Sequence, residues 1–159
     1  MKVFLIGYMA SGKSTLGKAL AGALTLPFID LDVEIERTEG TSISEIIDTK
    51  GELHFRKVES AVLKDLLEQN DTGVFALGGG TPVFYNHMDL LNAEGETIFL
   101  DVPVRELAKR LEGDIKRPLI QNKEDVAEFV AKHMFERRAY YSQAKHRIAG
   151  PSISVEELK

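Results

Sequence analysis

The sequence predicts an α/β fold in which a parallel sheet is joined by crossover helices. Two observations carry this. Short apolar runs alternate along the chain with stretches of helical period, the pattern of strands linked by helices that pack on the sheet. The first run, Val3-Phe4-Leu5-Ile6, leads directly into Gly7-Tyr8-Met9-Ala10-Ser11-Gly12-Lys13-Ser14. That octapeptide fits G-x-x-x-x-G-K-[ST] in the strand-then-helix setting of a phosphate-binding loop. With 159 residues, no internal repeat and no linker-like stretch, the chain reads as one domain, 1–159, large enough to bury a proper core.

The elements follow in order. Strand one covers about Lys2 to Ile6. The next helix carries Leu16, Ala19, Leu20, Ala23 and Leu24 at i, i+3, i+4 spacing, which predicts one face packed on the sheet. Pro27-Phe28-Ile29 forms a short second strand ending at Asp30. Residues 32 to 69 read as mostly helical, interrupted near Gly40 and Gly51, with Phe55, Val58, Val62 and Leu66 as the apolar stripe of the last piece. Val74-Phe75-Ala76-Leu77 is a third strand running into Gly78-Gly79-Gly80, and Thr97-Ile98-Phe99-Leu100 is a fourth, followed by Pro103 at a helix start. A long helix from about Glu124 to Gln143 precedes a final strand, His146-Arg147-Ile148-Ala149.

The phosphate loop implies a nucleoside triphosphate. Gly7 and Gly12 permit backbone angles and close approach that a Cβ would block. Successive N–H groups then converge on phosphate oxygens at a helix N-terminus. Lys13 supplies a point charge for the outer phosphates, and Ser14 a hydroxyl ligand for Mg²⁺. Asp30-Leu31-Asp32 stands where the second strand ends, and ligands of open α/β sheets bind beyond the carboxyl ends of strands. Residues two apart in an extended segment point the same way, so both carboxylates are expected to face the loop, one toward a metal and one toward the group phosphorylated. Capping of the following helix is the competing account, since Asp is a favoured N-cap. The third strand lacks a terminal Asp, which leaves Asp30 as the acidic candidate for the metal. Three consecutive glycines, Gly78 to Gly80, indicate a tight loop or close ligand approach.

Composition narrows the class. The chain is 43% apolar and 28% charged, with a net charge of −5 that argues against general nucleic-acid binding. A nucleotide or small anion must therefore be held by local positive charge. There is no cysteine, which fits a reducing compartment, and no secretory signal or membrane-length apolar run. A cytoplasmic protein, without membrane or nucleic-acid partners and monomeric, is the expectation. Among the arginines, Arg56 can be explained by a surface pair with Glu59, and Arg137 and Arg138 lie on a helix rich in both signs. Arg117 lies in Glu112-Gly113-Asp114-Ile115-Lys116-Arg117-Pro118, a polar break between helices that reads as a lid. Spacing alone does not choose among them.

Taken together, the phosphate loop, Asp30-Leu31-Asp32, Phe55-Arg56-Lys57-Val58-Glu59, Leu77-Gly78-Gly79-Gly80, Lys116-Arg117-Pro118-Leu119 and Glu136-Arg137-Arg138-Ala139-Tyr140-Tyr141 resemble the shikimate kinase family, from the N-terminus to about residue 147. The resemblance implies a five-stranded parallel sheet of the nucleoside monophosphate kinase type, a lid at about 112–122 and a substrate-binding helical region at about 32–60. It implies transfer of the γ-phosphate of ATP to the 3-hydroxyl of shikimate. ATP would lie on Ala10, Ser11, Gly12, Lys13, Ser14 and Thr15, with Arg110 near adenine and Mg²⁺ on Ser14 and Asp30. Asp32 would accept the hydroxyl proton, and Arg56, Arg138 and the Gly79 backbone would hold the shikimate carboxylate. Arg117 would meet the transferring phosphate. A gluconate or nucleotide kinase of the same fold, or a nucleotide-binding module without catalysis, remains open at this level.

Overall fold

A computed structural model of the chain describes residues 1–112, 126–151, 153 and 155–158. The lid expected at about 112–122, with Arg117, lies outside the described residues from 113 onward. The elements run β1 (Lys2–Ile6), α1 (Lys13–Leu24), β2 (Phe28–Asp30), α2 (Leu31–Glu39), α3 (Ile43–Lys50), α4 (Glu52–Gln69), β3 (Gly73–Ala76), a 3₁₀ turn (Thr81–Val83), α5 (His87–Glu94), β4 (Glu96–Asp101), α6 (Val104–Glu112), α7 (Val126–Tyr141), β5 (His146–Ala149) and α8 (Val155–Leu158). The strands form one five-stranded sheet in the order β2-β3-β1-β4-β5, and every pairing is parallel.

Strand β1 is central, so both its faces are covered and, after Lys2, its residues Val3 to Ile6 are an unbroken apolar run. Alternate residues serve opposite layers. Val3 and Leu5 join Leu20, Val74, Ile98 and Leu100 on the α1 side. Phe4 and Ile6 join Leu31, Ile35, Phe75, Phe99, Val130 and Met134 on the other. The buried face of α1 is Gly17, Leu20 and Ala21, whereas Ala19 and Ala23, which the spacing had also assigned to it, are exposed. Close packing explains the choice: a Cβ on Gly17 would lie 2.6 Å from the Phe28 ring. A helix this near the sheet needs its smallest residue at the line of contact.

Helix α2 is capped by Asp30, whose side chain accepts from the backbone N–H groups of Asp32 and Val33, and α3 by Ser42. The interruptions expected at Gly40 and Gly51 stand between α2 and α3 and between α3 and α4. Helix α4 departs from a plain apolar stripe. Arg56, Glu59 and Ser60 are buried along with Phe55, Val62, Leu63 and Leu67, so an ion pair occupies its inner face. No helix among the described residues is long and apolar enough to cross a membrane.

Because all five strands run in parallel, their C-terminal ends share one edge of the sheet. The phosphate loop leaves β1 there, Asp30 ends β2, and the triple glycine follows β3. Three motifs separated in sequence meet by topology.

Candidate active site

Residues 7–12 connect β1 to α1 as a loop whose N-terminal helix cap, Gly12, has φ 96, a left-handed conformation that favours glycine. Ala10 is also left-handed, at φ 66, which marks the loop as backbone held away from its preferred wells. Lys13 Nζ folds back over the loop and donates to the carbonyls of Gly7 (2.7 Å) and Tyr8 (2.9 Å). A cavity of about 280 Å³ opens above, lined by Met9, Ala10 and Gly12 to Thr15 on one side and by Asp30, Asp32 and Ala76 to Gly79 on the other. Ser11 is buried beneath the loop, so its backbone is what it can offer a ligand.

The two aspartates reach this cavity by a route other than the extended one expected. Asp30 ends β2, but Asp32 is already in the first turn of α2. Asp30 makes two separate contacts: Oδ1 caps α2, while Oδ2 accepts from the Ser14 hydroxyl at 2.8 Å. Burial, reinforced by the nearby charges of Asp30 and Glu59 and opposed by Lys13, pushes the Asp32 carboxyl up to about 6. A carboxylate so placed ionises just below neutral pH, which suits a general base.

The triple glycine brings the remaining groups in. A Cβ on Gly78 would lie 3.2 Å from Asp32 Oδ1, one on Gly79 3.0 Å from Arg137 Nη1, and one on Gly80 would overlap the Arg56 guanidinium. Each glycine thus lets a different charged side chain pass close to the backbone. Arg56 is bound on its inner side by Glu59 (Nη1 to Oε1 3.0 Å and Oε2 3.3 Å), and its Nε has no hydrogen-bond partner among the described residues. Arg137 Cζ lies over the Tyr8 ring, 5.8 Å from its centroid, and the side chain bonds Tyr141, whose hydroxyl donates to the Gly79 carbonyl. Burial pushes the Tyr141 hydroxyl up, while Arg137 and Arg56 both pull against it, so the two guanidiniums share its neighbourhood.

Arg138 is placed elsewhere, contrary to the expectation that it joins Arg56. It is exposed and donates to Asp101 at 3.2 and 2.7 Å, beside Arg147 on the same carboxylate. Helical geometry gives the reason. The buried residues of α7 are Val126, Val130, Met134 and Tyr141. At about 100° per residue, Arg137 lies roughly 25° from the centre of that face and Arg138 roughly 75°. The period of the buried stripe was therefore a signal that would have picked Arg137. Arg110 bridges the Ala10 carbonyl (2.7 Å) and the Pro151 carbonyl (2.9 Å), tying the phosphate loop to the segment after β5.

The shikimate kinase family model matches residues 9–158. The chain belongs to the shikimate kinase family. The shikimate kinase of Flavobacterium johnsoniae is 39% identical over 160 residues, covering 98% of this chain and 93% of its own. A crystal structure of the shikimate kinase from Bacteroides thetaiotaomicron superposes with TM-score 0.91 at 34% identity, covering 99% of this chain and 93% of the other. One from Acinetobacter baumannii in complex with shikimate superposes with TM-score 0.88 at 32% identity, covering 99% and 87%. As a shikimate kinase family member the chain is an ATP-dependent kinase, and the sheet and phosphate loop described above are those of its structural relatives. Kinases that use ATP in general require a metal ion with it.

Proposed function

We propose that the chain transfers the γ-phosphoryl group of ATP to the 3-hydroxyl of shikimate, a step of aromatic amino acid biosynthesis, with Asp32, Arg56 and Arg137 around the acceptor. The observation that carries this reading is the convergence of those three side chains on three consecutive glycines at the edge of the phosphate-loop cavity. A triphosphate would lie on Ala10 to Thr15, with Lys13 released from its two loop carbonyls to the outer phosphates and Arg110 beside the base. Arg56 and Arg137 would share the acceptor carboxylate, with the Gly79 N–H as a third donor. A planar carboxylate suits two guanidiniums, and Arg56 Nη2, whose described partner is the exposed Glu52 at 3.5 Å, is the donor that can turn to it.

The acceptor hydroxyl then attacks the γ-phosphorus, its proton passes to Asp32, and the bond to the β-phosphate oxygen breaks to release ADP. Such a transfer needs positioning and charge neutralisation more than covalent help from the protein. The Ser14 hydroxyl and Asp30 carboxylate, 2.8 Å apart, are hard oxygen donors and fit Mg²⁺ held by one carboxylate together with phosphates. When bound there, the ion would supply charge neutralisation at the phosphates. Arg117 carries its expected role on the phosphate from sequence alone, and Arg117→Ala is expected to lower kcat by about 10²-fold or more with smaller changes in KM. The direct test is ADP release in a coupled assay with and without shikimate. Release that does not depend on shikimate overturns the reading.

A further inference from the structure

The guanidinium of Arg56 is enclosed on several sides. Glu59 binds Nη1, Glu52 approaches Nη2 at 3.5 Å, and the backbone of Gly80 lies against it. It lies over two aromatic rings: Arg56 Cζ is 4.9 Å from the centroid of Phe55 and 4.4 Å from that of Phe84. Phe55 is the preceding residue of α4 and is near by sequence. Phe84 arrives from a separate segment, between the 3₁₀ turn and α5.

That segment is built to deliver it. Phe84 itself is extended, but Tyr85 and Asn86 follow with φ 53 and φ 55, two successive left-handed residues without a glycine. Strain of this kind persists where the surroundings over-determine the backbone. They do so here on both sides of Phe84. Before it, the Thr81 hydroxyl donates to Glu59 Oε2 at 2.9 Å. After it, fully buried His87 donates through Nδ1 to the Thr81 carbonyl at 2.8 Å and meets the Ser60 hydroxyl through Nε2 at 3.0 Å. The segment is thus stitched to α4 at Glu59 and Ser60, flanking the point where the Phe84 ring meets Arg56. Phe84 is only half-buried and belongs to neither group of core side chains, so core packing does not account for its placement.

We propose that Phe84 is a positioning residue for the acceptor-binding arginine, its ring restricting the Arg56 guanidinium so that Nη2, held here by the exposed Glu52 at 3.5 Å, is oriented toward a carboxylate. Glu59 holds Nη1 closely, whereas Glu52 reaches Nη2 only at 3.5 Å from an exposed position, so the Nη2 end is the less firmly held. A ring packed against the group limits its movement and shields it from water without competing for its N–H donors. The proposal rests on the reading of Arg56 as a carboxylate ligand.

The test measures KM for shikimate and for ATP, kcat, calorimetric shikimate affinity and melting temperature in four variants. Phe84→Leu keeps an apolar side chain and removes the π face. It is expected to weaken shikimate binding and raise its KM by about 5- to 20-fold while kcat and the ATP KM stay within about twofold. Phe84→Tyr keeps the ring and is expected to stay within about twofold of wild type throughout. Adding Phe84→Leu to Arg56→Ala is expected to cost nothing further, because the group being positioned is gone. Unchanged shikimate KM in Phe84→Leu overturns the proposal, as does a Phe84→Tyr variant impaired equally. A loss shared by both substrates with a lowered melting temperature also overturns it, by making the role structural. Arg56→Ala with wild-type shikimate KM overturns the underlying reading of Arg56 instead.

Discussion

Asp32 carries opposing demands of stability and chemistry. Its carboxyl titrates near 6 in the folded protein against about 3.8 for an ordinary aspartate, chiefly because it is buried. Between those values the folded state binds the extra proton. The contribution to stability is therefore full below about 4 and is lost as pH rises through about 6. Asp32→Asn removes the buried charge and is expected to stabilise the unliganded protein at pH 7.5 by about 1–3 kcal/mol in urea melts while abolishing transfer. In the wild type, kcat/KM for shikimate should fall about tenfold per pH unit below 6 as this base protonates. A profile flat down to pH 5 would remove Asp32 from that role. On α7, Arg137→Ala is expected to weaken shikimate binding by about 10- to 100-fold, the value of a charge-assisted bond, with ATP affinity unchanged. Arg138→Ala, which removes an exposed arginine paired with Asp101 away from the phosphate-loop cavity, is expected to change it less than about threefold. Calorimetry on the two variants separates adjacent residues that sequence spacing had left undecided.

Asp30 joins the end of β2 to the start of α2 and to the phosphate loop, so its two duties can be split by substitution. Asn is as good an N-cap as Asp but a poor ligand for a hard cation. Asp30→Asn is expected to melt within about 0.5 kcal/mol of wild type while requiring more Mg²⁺ for half-maximal activity. Asp30→Ala should show the same metal effect and lose about 1 kcal/mol of stability as well. Equal Mg²⁺ titrations for wild type and Asp30→Asn would confine Asp30 to capping. The turn after β3 makes a comparable point about shape. Gly80 has an ordinary φ of −93, so its need for glycine is not conformational. A methyl group there would occupy the place of the Arg56 guanidinium. Gly80→Ala is accordingly expected to raise the shikimate KM by about tenfold or more, leaving the ATP KM nearly unchanged. The triple glycine was readable as a site for close approach, but which side chain approaches each glycine was not.

Across the fold, the acceptor side depends on a buried polar assembly that links α4, the segment 81–87 and the glycine turn. Glu59 is 1% exposed and bonds both Arg56 and Thr81. Removing it leaves a buried cation with only the long contact to exposed Glu52 at 3.5 Å, so Glu59→Ala is expected to cost about 3 kcal/mol in denaturant unfolding and to weaken shikimate binding with it. A loss under 1 kcal/mol would mean that Arg56 escapes to solvent once released. On sequence spacing this pair looked like an i, i+3 surface contact. Burial reversed that reading, because the glycine turn after β3 and the segment from Thr81 to Phe84 lie against these two side chains.

What local sequence settled is whatever depends on short-range geometry. The apolar runs specify strands, Gly40 and Gly51 punctuate the helices, and Gly7 to Ser14 can form little except a phosphate loop between a strand and a helix. These features are written within a few residues of one another, so backbone sterics and periodicity suffice to read them. The strand order β2-β3-β1-β4-β5 and the burial of Arg56 with Glu59 belong to the folded chain. So do the approach of Arg137 to Gly79, the pairing of Arg138 with Asp101 and the delivery of Phe84 onto Arg56. Each depends on which surface covers a residue, and that surface comes from a distant part of the chain. A side chain's charge is local information, but its solvent is not.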